Sequence, residues 1–171
     1  MKKQGVSMKG NKVDHFVLHG TLIVTVSSLA ILLLRKKSSI KDWLLAYLFN
    51  GITNGIIDNV LVSYKILQYP VRYFPKLFDS SVLFDFLVYP TFTVFFNQWS
   101  EKDKPKMILF KLLILTVPST LGEWLIVQKT NLHDWKKGWK WYHSFGSLTL
   151  KSLTTRVLVG FVRKVSDKQN S

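Results

Sequence analysis

Five blocks of about 20 apolar residues, at 16–34, 43–64, 77–97, 107–127 and 142–162, constrain this chain more than any other feature of it. Each is close to the length that carries a helix across roughly 30 Å of hydrocarbon. Short lysine-rich connectors separate them, as in Arg35, Lys36, Lys37 and Lys41. The pattern predicts an all-α fold, a polytopic transmembrane helix bundle of about five spans, with residues 1–171 forming one membrane domain. The first block follows a basic tail (Lys2, Lys3, Lys9, Lys12) and runs into Arg35-Lys36-Lys37 without a small-residue cleavage site. It therefore reads as an uncleaved signal-anchor helix. The fifth carries Lys151 and Arg156 near its middle, so an interfacial or deeply packed helix stands as the alternative to a fifth span.

The net charge of +14, from 24 Lys and Arg against 10 Asp and Glu, would suit nucleic acid if it were clustered. Instead the basic residues flank the apolar blocks, where they meet anionic headgroups. The expected partners are membrane lipid, with a homo-oligomer or a membrane protein partner left open and nucleic acid excluded. With five spans, eleven basic residues fall on one side and ten on the other, which leaves the orientation open. The chain has no cysteine, so disulfides, thiol chemistry and cysteine-ligated metals are excluded.

Acidic groups inside a span must face protein or water, because each costs roughly 2.5 to 3.5 kcal/mol when inserted alone. Three fall inside blocks: Asp58, Asp85 and Glu123. Asn50, Asn54 and Asp58 recur every fourth residue and share a helix face, beside Gly51 and Gly55, whose spacing permits close helix approach. The stripe reads either as packing between helices or as part of a pathway for a proton, ion or solute. Asp85, Tyr89, Thr93 and Asn97 repeat the spacing, interrupted by Pro90. Pro90 lacks an amide hydrogen and clashes with the carbonyl of residue 86, so a kink at 86–89 and a small hydrated cavity are expected there. Pro118, Ser119, Gly122 and Glu123 make a second polar patch, and Lys111 is expected to snorkel. Ser144, Ser147, Lys151, Thr154 and Thr155 share a face on which Lys151 is placed to neutralise an acid. Arg156 lies about 140° away from Lys151 and should face a different neighbour.

In the second connector, Tyr69-Pro70-Val71-Arg72-Tyr73-Phe74-Pro75-Lys76 mixes aromatic, proline and basic residues. It reads as an interfacial turn, with Arg72 and Lys76 as candidate headgroup contacts. Trp139, Trp141 and Tyr142, among Lys136, Lys137 and Lys140, read as an aromatic belt ahead of the fifth block. Two intramembrane aspartates raise the thought of an aspartyl protease, yet neither sits in a glycine motif. His15 and His19 lack the intervening glutamate of a zinc-protease helix, and no phosphate loop, nucleophile elbow or dinucleotide fingerprint occurs. No catalytic residue, metal site or cofactor is assigned.

The stretch from about 42 to 150 resembles an uncharacterised family of small polytopic membrane proteins of spore-forming bacilli and clostridia. The resemblance rests on Ile57-Asp58-Asn59, Tyr69-Pro70-Val71-Arg72, Phe74-Pro75-Lys76, Leu83-Phe84-Asp85, Tyr89-Pro90, Asn97-Gln98, Glu123, Lys136-Lys137-Gly138-Trp139 and Trp141-Tyr142-His143. It implies a multi-pass location in a bacterial cytoplasmic membrane and no established activity. The first block and the C-terminal tail fall outside the resemblance, and Lys151 departs from it.

The expectation is thus a helical membrane bundle with a polar interior built from Asn50, Asn54, Asp58, Asp85, Glu123 and Lys151, in a structural, regulatory or assembly role rather than as an enzyme. Two rivals stand beside it. One is a small transporter or channel-like protein using the interior acids. The other is a membrane-embedded enzyme acting on lipid, with Arg72 and Lys76 on a phosphate.

Overall fold

Pro90 sets the geometry at the middle of the molecule. In the computed structural model, which describes residues 10–34 and 40–169, the helix entering this proline widens into a π-helical segment at Phe84–Val88 before continuing as an α-helix. Proline supplies no amide hydrogen to the carbonyl four residues back. That carbonyl, on Phe86, instead accepts a hydrogen bond of 2.5 Å from the Tyr47 hydroxyl of a neighbouring helix. The wider turn itself closes through the Tyr89 amide donating to the Phe84 carbonyl.

Around this segment the chain forms α1 (Lys12–Leu34), α2 (Ile40–Ser63), α3 (Tyr89–Trp99), α4 (Pro105–Lys129) and α5 (Trp141–Gln169). Two short strands, β1 (Leu67–Gln68) and β2 (Asp134–Trp135), pair antiparallel with Leu67 opposite Trp135. The architecture is an all-α five-helix bundle clipped at one end by that two-residue ladder. Gly55 lets α2 approach the π segment: a Cβ there would lie 2.6 Å from the Phe86 ring. Leu32, Trp43, Ala46, Val94 and Val159 form one apolar core, and Leu18, Val71, Leu83 and Leu132 a second.

Charged side chains fasten the helices to one another. The Arg156 guanidinium of α5 donates to the carbonyls of Asn97, Ser100 and Glu101, at and just beyond the C-terminus of α3, where the helix dipole favours a cation. One turn pair further on, Arg163 reaches Asp42 at 2.6 Å and Glu101 at 2.9 Å and covers the Trp43 ring at 5.0 Å. At the other end, Asn11 and Asp14 cap the start of α1 reciprocally, and Asp14 also accepts from the backbone and side-chain nitrogens of Asn131.

The five-span transmembrane bundle is corrected by this structure. Among the described residues, two helices, α1 and α4, are long and apolar enough to cross a membrane. The stretch 77–81 is not helical, so the third expected span starts late. In α2 and α5 the apolar run is interrupted by polar residues whose partners lie inside the protein: Asn50, Asn54 and Asp58 on α2, and Lys151, Arg156 and Arg163 on α5. A bundle organised around internal ion pairs and hydrogen bonds replaces one organised around lipid. The multi-pass location in a bacterial cytoplasmic membrane rested on the five spans and is withdrawn with them. So are the structural, transport and lipid-enzyme roles framed for such a protein. α1 and α4 do turn much of their apolar surface outward, including Phe16, Ile23, Phe110 and Leu121.

Lys111 does not snorkel. Its ammonium pairs with Asp103 at 2.6 Å, donates to the Trp99 carbonyl at 2.8 Å and lies over the Trp99 ring. The basic residues Lys2, Lys3, Lys9, Arg35, Lys36 and Lys37, read as headgroup contacts, lie outside the described residues.

Candidate functional site: an interior polar cavity

The four-residue spacing of Asn50, Asn54 and Asp58 turns all three toward the bundle interior, where they are 2%, 1% and 6% exposed. The Asn54 amide donates to Asn50 Oδ1 at 2.6 Å, and Asn54 Oδ1 accepts from the Lys151 ammonium of α5. Asp85 arrives from the π segment, Glu123 from α4 and Lys151 from α5. All six residues line one cavity of about 60 Å³, against roughly 10 to 15 Å³ needed by a single water. Ile57, Leu61, Leu67 and Leu148 supply its aliphatic wall.

Its walls include residues read otherwise from sequence. Tyr69, placed there at headgroup depth, is buried and donates its hydroxyl to Asp58 Oδ1 at 2.9 Å. His133, assigned no role, stacks on the Tyr69 ring with centroids 4.7 Å apart. Glu123 Oε1 accepts from Ser144 Oγ at 2.9 Å and Trp135 Nε1 at 3.3 Å, and faces His133 Nδ1 at 3.5 Å. Trp139 lines the cavity and donates to Ser144 Oγ at 3.0 Å, whereas Trp141 and Tyr142 stand exposed at the start of α5. The β1–β2 pairing is what brings Tyr69 against His133, and no local pattern in either segment announces a two-residue ladder across more than sixty positions.

The headgroup site is also corrected. The Arg72 guanidinium is committed to the carbonyls of Tyr69 at 2.6 Å, Phe78 at 2.7 Å and Pro75 at 3.3 Å, and to Asp79 at 3.5 Å. It closes its own loop and is not presented to a phosphate. Lys76 lies exposed on that loop without forming a pair with it. The expected lipid partnership falls with the five-span bundle, because Arg72 is spent on its own loop and the charged groups of α2 and α5 are turned inward onto protein partners.

Burial governs the charge state of the cavity. Loss of water, and then the neighbouring Asp58 charge, push Asp85 up to about 8. Asp58 is raised by the same burial but is held down by the Tyr69 hydroxyl. Asp58 and Asp85 line the same cavity, so the charge on Asp58 opposes ionisation of Asp85. Burial lifts Glu123 to about 6 against the hydrogen bonds from Ser144 and Trp135. Burial drives His133 down to about 4, so its ring is neutral at pH 7. Lys151 is lowered by burial and supported by the three acids.

The acceptors outnumber the donors. Asp58 Oδ2, Asp85 Oδ2 and His133 Nε2 are buried without a hydrogen-bond donor from the protein. A proton on His133 Nδ1, which faces Glu123, leaves Nε2 a bare acceptor. Among the described residues, no group of three or more His, Cys, Asp or Glu is arranged to hold a metal ion.

No family model, no curated protein and no solved structure matches this chain. The resemblance to a polytopic family of spore formers is therefore not sustained. Several residues that carried it, Asp58, Tyr69, Asp85 and Glu123 among them, belong to the inward-facing network just described.

Proposed function

We propose that this protein is a binding protein that takes a small polar molecule into its interior cavity, and that it does not turn its ligand over. The observation that carries this reading is a 60 Å³ cavity whose buried polar lining is drawn from four of the five helices, the π segment and the clipped loops rather than from one local patch. Buried polar groups cost roughly 1 to 3 kcal/mol each when left unpaired, and the interior gathers several of them around a single space. A bound ligand would supply the missing partners. Ser144 donates to Glu123 Oε1 at 2.9 Å and accepts from Trp139 Nε1 at 3.0 Å, so this part of the wall is held in place by its own hydrogen bonds.

The test is to fill the cavity without touching its hydrogen bonds. Ser147 lies half-buried on α5 and lines the cavity wall. In a thermal-shift screen against small amines, carboxylates, amides and alcohols, at least one class should raise the melting temperature of the unaltered protein. Ser147→Phe should abolish that shift while keeping the helical circular dichroism. A shift that survives in Ser147→Phe places the ligand elsewhere, and the absence of any shift removes the proposal.

A further inference from the structure

The unmet groups of the cavity are all acceptors, and they share it with aromatic and aliphatic walls. Resting on the binding reading above, we infer that the ligand is a small primary ammonium compound, its N–H groups directed at the unpartnered atoms of Asp58, Asp85 and His133 and its short hydrocarbon part against Tyr69, Leu67 and Leu148.

Three lines of geometry support this class. A primary ammonium carries three N–H donors, and three buried acceptors await donors here. A cavity of about 60 Å³ admits a few heavy atoms, enough for a one- or two-carbon amine and too few for a large organic cation. The charges also favour a cation. Three carboxyl groups, on Asp58, Asp85 and Glu123, share the cavity with one ammonium, that of Lys151, whose bond goes to Asn54. The neutral ring of His133 adds no competing positive charge. Tyr69 and Tyr89, both raised well above the usual tyrosine range by burial, stay protonated and add no negative charge of their own.

Binding should then be linked to pH. The groups facing the two aspartates are Tyr69 just after β1, Tyr89 at the head of α3, Glu123 on α4, His133 in the following loop and Lys151 on α5; α1 contributes none to the lining. An arriving cation favours the charged form of Asp85, so a proton leaves to solvent as the ammonium enters. Affinity should rise with pH from 6 to about 8.5, while a simple alkylamine remains protonated.

The experiment is a calorimetric titration of the full chain with methylammonium, tetramethylammonium and acetate chlorides or sodium salts, at pH 6 and 8.5 and in two buffers of different ionisation enthalpy. Methylammonium should bind, tetramethylammonium, which has no N–H, should bind about tenfold more weakly or not at all, and acetate should not bind. Methylammonium affinity should increase by roughly fiftyfold to a hundredfold between the two pH values with release of a proton. Asp85→Asn should bind with the pH dependence gone, and Lys151→Met should bind methylammonium more tightly, because a competing cation is removed.

Binding of acetate that is lost in Lys151→Met would keep the cavity as a ligand site and overturn the ammonium class. Equal affinities for methylammonium and tetramethylammonium would do the same. Binding of methylammonium in Lys151→Met alone would show that Lys151 fills the role itself, and the inference falls. A protein that takes none of these probes, while another class raises its melting temperature in the thermal-shift screen, overturns the ammonium class and keeps the binding reading; with no shift in that screen either, both fall.

Discussion

Two regions of the molecule use the same residue types to opposite ends. Where α5 crosses the end of α3, Arg156 and Arg163 meet three carbonyls and two carboxylates, and the cations in that region are matched by acceptors. Thirteen ångströms or so of helix toward the N-terminus of α5, at about 1.5 Å per residue, Lys151 shares a cavity with Asp58, Asp85 and Glu123, and acceptors there are left over. The first region is satisfied within the protein and holds helices together. The second is incomplete within the protein, which is the mark of a place prepared for something else. Charge inside a bundle thus says little until its partners are counted.

The comparison breaks most readily at the saturated end. Arg156→Ala strips the charged donor from three carbonyls and should destabilise the fold by about 3 kcal/mol, read from urea unfolding with the slope unchanged. A loss under about 1 kcal/mol would mean that those carbonyls turn to water without cost, and the supposed difference between the regions would shrink.

At the incomplete end the expected signature is pH rather than magnitude. Asp85 keeps its proton to about 8 in the folded chain and loses it near 3.8 when unfolded, so folding takes up a proton between those values. Stability attributable to the pair therefore falls as pH rises toward 8 and levels off above it. Glu123, at about 6, acts in the same direction but only below that pH. His133 acts oppositely: unfolded it titrates near 6.5 and folded near 4, so its contribution rises with pH across that window. From pH 6.5 to 8 the aspartate pair acts nearly alone. Chemical denaturation of the ligand-free protein should lose about 2 kcal/mol across that interval, and Asp85→Asn should flatten the profile. A profile that stays steep in the variant would assign the proton to another group.

The smallest effect sharpens the border between the regions. Trp139→Phe removes the donor to Ser144 but keeps the ring in the cavity wall, and should cost about 1 kcal/mol of stability. Ser144 would keep its bond to Glu123. A loss several times larger would place Trp139 with the structural network instead of the cavity.

Helical spacing made half of the site legible in advance. The positions Asn50, Asn54, Asp58 and Lys151 follow from a period of 3.6 residues, and Pro90 announces a break in the third helix that the structure resolves as a π turn, with Tyr47 taking the freed Phe86 carbonyl. His133, Tyr69 and Trp135 were not legible. They enter through β1–β2, a contact between segments distant in sequence and too short to carry a periodic signal. Arg72 misled because a basic residue among aromatics reads alike whether its guanidinium faces a phosphate or its own loop carbonyls.

The sequence by itself determined where four of the five helices lie, which faces of α2 and α5 are polar, and that the acids fall inside the apolar blocks. Only the tertiary structure decided what stands opposite each face. A helical period sets the angle of a side chain about its own axis and carries no information about the neighbour across the gap. The same apolar blocks therefore read as five spans along the chain, and in three dimensions as helices ordered around a shared polar interior.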